Sequence, residues 1–403
     1  MKRNLLIISS LILVATLGLT FLRHSKNNFL KKKYHYSLKT DQRFNETESK
    51  EFEQELHFYL KRFERDPASF QNLSIMAHLM IKKSKVSGDE EVLVSAREYA
   101  EKSLAIMPHY NISALYALAD IAQMEHKFFL AVEYARKIQQ ENPQSPEAFR
   151  ILTNSFLAMG ELAQAFENSQ YLLRIVPDSN SYALNALVLA ELGETEKAKK
   201  SFTNALALDD EDQIQASWVR TLFARFFLEQ EMLPEAFTLL NEALRIHHGN
   251  AFALYQMGKY FEKDGRDQEA LSFFKKAFSQ SKDISFLIAE AKTYNRLGDS
   301  VLAREVLAQA EMLSRFEITE SKTSHRRNLI EILYEQGKFK EALELSLEEK
   351  KTRHDSETLL LLARTFAAVK DYPNAEITIK EMLAKNMRSL PVMELAENIR
   401  KSR

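Results

Sequence analysis

The ten histidines are the first places to look for chemistry, because imidazole is the commonest metal ligand and titrates near neutral pH. None lies in a His-Glu-x-x-His or similar metal-binding spacing. His247 and His248 are adjacent, so a helix would aim them in different directions and offer no ligand set. There is no cysteine, which excludes disulfides, thiolate metal sites, cysteine nucleophiles and a lipid-modified N-terminal cysteine. The nine glycines form no G-x-G-x-x-G or phosphate-cradling loop. No serine sits in a Gly-x-Ser-x-Gly elbow. Carboxylates are interleaved with lysines and arginines, as from Glu194 through Lys197 to Lys200, which is the pattern of a solvated helix face. These residues compose no catalytic constellation and no metal or cofactor site, and they point away from an enzyme.

The elements that could position a binding surface are helical. The chain has 403 residues, 45% hydrophobic and 28% charged, which suits a folded protein. Its formal net charge of -1 supplies no field to recruit nucleic acid, so no nucleic-acid partner is expected. Residues 1–4 are basic, and Leu5 to Leu22 form one apolar run. As a helix that run would span about 27 Å, close to a bilayer's hydrocarbon thickness. An uncleaved, single-pass transmembrane anchor over residues 5–22 is the expectation; a cleaved signal peptide, with Thr16-Leu17-Gly18 as its best site, is the alternative. The flanking Arg23, Lys26 and Lys31 to Lys33 favour a cytoplasmic array under the positive-inside rule. The Lys2-Arg3 start is also how exported chains begin, which would place the array in the periplasm. Residues 23–45 read as a basic and polar tether. Residues 46–67, with Phe52, Leu56, Tyr59, Leu60 and Phe63 at helical spacing, read as a capping helix.

A period then takes over. Pro108, Pro143 and Pro177 each close a helix, recurring at an interval of about 34 residues. Gly160, Gly193, Gly265, Gly298 and Gly337 are each followed five residues later by alanine: Ala165, Ala198, Ala270, Ala303 and Ala342. Glycine there supplies the left-handed turn that ends one helix, and alanine lets the next helix pack closely. Repeats therefore start near Ile112, Pro146, Ser179, Ser217, Ala251, Ile284, Thr323 and Ser356. The intervals from Ser179 to Ser217 and from Ile284 to Thr323 are longer than the rest, so Asp209–Ala216 and Arg315–Lys322 should lengthen a helix or a loop. A degenerate first repeat spans Ala68 to Pro108, with a polar loop expected over Lys82–Glu91. Residues 390–403 should cap the far end of an array over residues 68–389.

The stretch Leu254, Met257, Gly258, Phe261, Gly265, Ala270, Phe274, Ala277 resembles the tetratricopeptide repeat, of the membrane-anchored bacterial type. Thr153, Ala186, Ala224 and Ala291 stand where the family prefers glycine, which should loosen packing but keep the fold. The resemblance implies an all-α, right-handed α-solenoid of about nine helix hairpins behind an N-terminal transmembrane or signal-anchor helix. It implies that first helices line a concave groove, at positions near two, five, nine and twelve. Position nine reads Asp120, Asn154, Leu187, Arg225, Lys259, Lys292, Glu331 and Arg364. Arg296 and Arg327 add charge to the same wall, and Tyr116 and Tyr255 at position five could stack on a ligand. The expected partner is a protein or peptide in this groove, an acidic segment or chain-terminal carboxylate being the candidate, although the family's Lys-and-Asn carboxylate clamp is not reproduced. A membrane-tethered scaffold for envelope assembly or for regulation of a membrane complex is what the resemblance implies. A periplasmic chaperone released by signal cleavage and a regulatory subunit of a membrane enzyme are the alternatives. A lipopolysaccharide-assembly group with a cysteine-ligated metal module is disfavoured by the missing cysteines.

Overall fold

The structure, a computed structural model, describes residues 46–87, 91–208, 212–320 and 326–401. The anchor and tether expected over residues 1–45 lie outside these. Among the described residues no helix is long and apolar enough to cross a membrane.

Twenty helices and no strand make up the described residues. Helix α1 (Glu46–Arg65) caps the array, packing Leu56 and Phe63 on Met76 and Leu79. Nine antiparallel pairs follow: α2 (Phe70–Ser87) with α3 (Glu91–Ile106), α4 (Ile112–Met124) with α5 (Phe128–Glu141), and α6 (Pro146–Ala158) with α7 (Leu162–Ile175). Next come α8 (Ser179–Glu191) with α9 (Thr195–Ala207), α10 (Gln213–Glu229) with α11 (Leu233–Ile246), and α12 (Ala251–Lys263) with α13 (Asp267–Gln280). The last are α14 (Ile284–Arg296) with α15 (Ser300–Glu320), α16 (Arg326–Glu335) with α17 (Phe339–Lys350), and α18 (Ser356–Ala368) with α19 (Tyr372–Ala384). Helix α20 (Leu390–Lys401) ends the described chain.

From α4 onward every pair is joined the same way. One residue takes the left-handed conformation: Gly160, Gly193, Gly265, Gly298 and Gly337 at φ 71–81°, and His126, Glu231 and Lys370 at φ 56–64°. The next residue's N–H then bonds back to a carbonyl in the helix just ended. Arg266 reaches the Phe261 carbonyl this way (2.8 Å), and Asp371 the Phe366 carbonyl (2.9 Å). Five residues after the left-handed position stands an alanine with essentially no exposure, from Ala131 to Ala375. The turn fixes the start of the second helix through the backbone, so six of those helices begin with no side-chain cap, among them α5 and α13. First helices start after a free loop and do need one. Asn111, Ser145, Asp178, Asn250 and Asp355 each accept from an amide in the first turn.

Several details depart from the pattern. The polar loop expected over Lys82–Glu91 is helical to Ser87, because Ile81 and Ser84 are buried and continue the α2 face. Both long intervals lengthen helices: α10 gains a turn before Ser217, and α15 runs 21 residues. Gly258 makes room for the Phe274 ring of its partner helix and not for a backbone; a Cβ there would overlap that ring. Thr153, Ala186, Ala224 and Ala291 are fully buried, so small side chains fill the seat without loosening it.

One continuous core joins α9, α10 and α11 and extends to the pairs on either side. Phe202 stacks on Phe223 (4.8 Å between centroids), which stacks on Phe227 (4.3 Å), the offset geometry that aromatic pairs favour. Arg220, fully buried beside them, meets Glu242 of α11 (Nε–Oε2 3.3 Å) and donates to the Ala216 carbonyl (2.9 Å). A buried charge needs such partners, and the Glu242 contact ties α10 to α11.

Solenoid pairs pack on their neighbours, yet here the last pair also docks on the third and fourth. The Arg388 N–H donates to the Glu191 carbonyl (2.8 Å), and the Ser356 hydroxyl donates to the Glu191 carboxylate (2.7 Å). Lys385 pairs with Glu161 (3.1 Å). Met387, 1% exposed, fills the gap beside Leu157, Leu162 and Leu192. The His354 carbonyl lies directly over Gly160, and the Arg388 backbone over Gly193, with no room for a Cβ at either. The array closes laterally into a ring.

The junction geometry predicts opposite outcomes at two sites. Gly265→Val puts a β-branched residue in the left-handed region and should cost about 1–2 kcal/mol or more. Lys370→Gly removes a left-handed non-glycine and should gain on the order of 0.5–1 kcal/mol. Chemical-denaturation midpoints check both; an unchanged midpoint for Gly265→Val contradicts the junction.

Candidate ligand-binding lumen

The inner face of the array lines a half-open cavity, the lumen, of about 1580 Å³. First helices α10, α12, α16 and α18 supply most of its wall, with α3 and the long α15 reaching it at one side through Val94 and Phe316. Both of those side chains are exposed, at 62% and 64%. Arg225, Tyr255, Lys259, Arg327 and Arg364 all line the cavity, so one helical register does bring these residues together. Lys292 and Arg296 of α14 are not among the lining residues.

The sequence leads to a mainly cationic row interrupted by Glu331; in the structure each of its cations has a carboxylate partner. Arg225 is gripped by Glu229 one turn on (2.9 Å) and by Glu357 of α18 (3.3 Å). Arg327 holds the other oxygen of Glu357 (2.7 Å) and Asp355 (3.0 Å). Lys292 pairs with Glu331 (3.1 Å) and Glu335 (3.3 Å), Arg296 with Glu262 (2.8 Å) and Asp267 (2.9 Å), and Lys259 with Glu262. Arg364 sits over the Tyr334 ring (4.7 Å) with Glu335 at 3.9 Å, a cation held by a π face. The lining holds six Lys or Arg and six Asp or Glu, so the wall is neutral. Helix spacing puts Glu262 a turn from Lys259, and the same spacing could have revealed Glu229 beside Arg225. Nothing local could have revealed Glu357, 132 residues from Arg225.

Titration follows this network. The Arg327 and Arg225 charges outweigh burial and hold the Glu357 carboxyl down at about 2. Burial alone would lower the arginines, but Glu229 and Glu357 keep Arg225 raised, and Glu357 and Asp355 do the same for Arg327. Lys292, half-buried, is raised by Glu331 and Glu335 against the opposing effect of burial. Burial pushes the Tyr255 hydroxyl up, and the ring stacks on Phe286 (5.0 Å), so that face is already occupied. Tyr116 packs against His78 and does not line the cavity.

Among the described residues no group of three or more His, Cys, Asp or Glu is placed to hold a metal ion. No protein-family model and no curated protein matches the chain. Solved structures do. Cut9, in its hetero-tetramer with Hcn1 of the APC/C, is 16% identical at a TM-score of 0.50, over 81% of this chain and 63% of that one. Human IFIT1, as a dimer with PPP-AAAA, is 16% identical at 0.46, over 78% and 82%. A tetratricopeptide repeat protein from Parabacteroides merdae is 16% identical at 0.43, over 59% and 93%. Together with the repeated junction, the likeness to Cut9 shows the fold: a tetratricopeptide-repeat type of α-solenoid.

One acidic group at the ring closure gives a pH prediction. Burial raises the Glu191 carboxyl to about 7, against the opposing Ser356 hydrogen bond and Arg225 charge and with Glu229 and Glu357 adding to the rise. The folded state therefore binds a proton that the unfolded chain releases near pH 4.5. By linkage, its contribution to stability is complete below that value and is lost as pH rises through about 7. The melting temperature of Glu191→Gln minus that of the native chain should increase from about pH 5.5 to about pH 8. A constant difference contradicts a protonated Glu191 at the ring closure.

Proposed function

We propose that the protein is a scaffold that holds an extended polypeptide segment of a partner in the lumen of its ring, itself tethered to a membrane through residues 5–22. The observation that carries this reading is the lumen. Its volume of about 1580 Å³ exceeds the roughly 300–1,000 Å³ of a small-molecule site. Apolar side chains such as Val94, Phe252, Phe316 and Leu360 alternate on its wall with ion-paired cations and carboxylates. That mixture suits a polypeptide, whose backbone and side chains offer both apolar surface and both signs of charge. Because the wall is neutral, the acidic partner expected from the sequence gives way to a segment of mixed charge. In this reading Arg225, Tyr255, Lys259, Arg327 and Arg364 form the contacting wall, while Lys292 holds the wall's Glu331 and Arg296 holds Glu262, the partner of Lys259. The resemblance to membrane-anchored bacterial repeat proteins extends the proposal to envelope assembly or regulation of a membrane complex.

The test uses the full-length chain solubilised from membranes in detergent, with capture of what it binds. Full-length protein should sediment with membranes and resist carbonate, and deletion of residues 1–40 should leave a soluble, folded array. Val94→Asp with Phe316→Asp, both exposed positions, should weaken the captured partner at least about tenfold without lowering the melting temperature. Affinity should change little with salt, since no net charge faces the ligand. Steep salt dependence, together with indifference to the two aspartates, contradicts the lumen as the binding surface.

A further inference from the structure

The ring is closed by a contact that a solenoid does not need. On one side stand the turns after α6 and α8; on the other stand the loop before α18 and the loop between α19 and α20. The surfaces meet at backbone distance over Gly160 and Gly193, whereas Gly265, Gly298 and Gly337, in the same turn conformation, have nothing within 4 Å of a Cβ. The remaining contacts are three polar ones, the Arg388 N–H on the Glu191 carbonyl, the Ser356 hydroxyl on the Glu191 carboxylate, and Lys385 with Glu161, and one apolar one, Met387 against Leu157, Leu162 and Leu192. Water can replace each of the polar ones. No helix of α18–α20 packs lengthwise on a helix of α6–α9, and a half-open pocket of about 230 Å³ lies beside the join, between Leu157, Leu162 and Glu191 on one side and Ser356, Arg353 and Met387 on the other. A join made by turns and loops, with so little helix packing behind it, belongs to the low-stability end of the structure, where local opening occurs first. It is also coupled to the lumen, since Glu357 at the start of α18 is held by Arg225 and Arg327 of the lumen wall.

We propose that this join is a lateral gate: α18, α19 and α20 move off the α6–α9 turns, admit an unstructured polypeptide from the side, and close over it. The proposal rests on the lumen being the binding site. A closed ring can be threaded only by a chain with a free, slender end; a gate removes that requirement. Ligand groups that engage Arg225 or Arg327 act on the same network that holds the gate shut.

Two measurements on the full-length chain in detergent test the gate. The first is hydrogen exchange at the Arg388 amide. It should exchange about 100-fold faster than the central amides of α12. Gly160→Ala, which clashes with the His354 carbonyl, should speed it further, whereas Gly265→Ala, with the same turn strain and open space, should not. An Arg388 amide as protected as α12 overturns the gate whatever the ligand. The second uses the absence of cysteine. Glu161→Cys and Lys385→Cys are joined by a reducible bis-thiosulfonate linker. The probe is a β-casein segment carrying a folded fluorescent domain at each end. It should bind the unlinked protein, fail to bind the linked one, and dissociate at least about tenfold more slowly when the link is made after loading. Equal binding with and without the link, but lost in Val94→Asp with Phe316→Asp, overturns the gate and keeps the lumen as the site. Binding unmoved by link and aspartates alike, or no binding at all, overturns the lumen reading on which the gate rests.

Discussion

One junction determines the rest of this molecule: a left-handed residue that ends a helix, a backbone hydrogen bond across it, and an alanine five residues on with no room for a larger side chain. It recurs in the eight pairs from α4 to α19. Because the junction is set by backbone, its geometry hardly depends on which residues surround it, and His126, Glu231 and Lys370 take the conformation that glycine takes elsewhere. Each non-glycine there carries strain of about 1–2 kcal/mol, which persists because packing on both sides fixes the turn. A repeated junction gives a repeated angle, and a repeated angle curves the array until its last pair meets the third and fourth.

That curvature changes what the inner surface is. In an open groove, a row of Arg and Lys would face water and a ligand. In the ring the same residues face carboxylates from their own helices and from other repeats, and Glu357 is caught between Arg225 and Arg327. Arg225 is still 36% exposed to the lumen, so these pairs are modest in strength. They act as a neutral lining that fixes side-chain positions. Selectivity then depends on shape and on the spacing of apolar patches more than on the sign of a partner's charge.

Local order was legible in the sequence and long-range closure was not. Ile112, Pro146, Ser179, Ala251, Ile284 and Ser356 begin helices where the period puts them, because caps, turns and small-residue contacts are encoded within a single repeat. The two misplaced starts, Ser217 for Gln213 and Thr323 for Arg326, fall beside lengthened helices, where the period itself slips. Arg225, Tyr255, Lys259, Arg327 and Arg364 share one wall, as the register implied. Their partners did not follow from it. Ser356 meets Glu191 across 165 residues and Lys385 meets Glu161 across 224, separations over which spacing carries no information. Gly160 and Gly193 looked like three other turn glycines, and only the closed ring reveals that they also serve as contact surfaces.

The central claim is that the array closes on itself. The most direct measurement is the distance between spin labels at Glu161→Cys and Lys385→Cys, in a chain with no other cysteine to label. Their native side chains are 3.1 Å apart. Dipolar EPR on the full-length protein should give a dominant narrow distance no longer than two label arms, with at most a minor longer component from transient opening. A broad distribution dominated by long distances contradicts the ring, and with it the lumen.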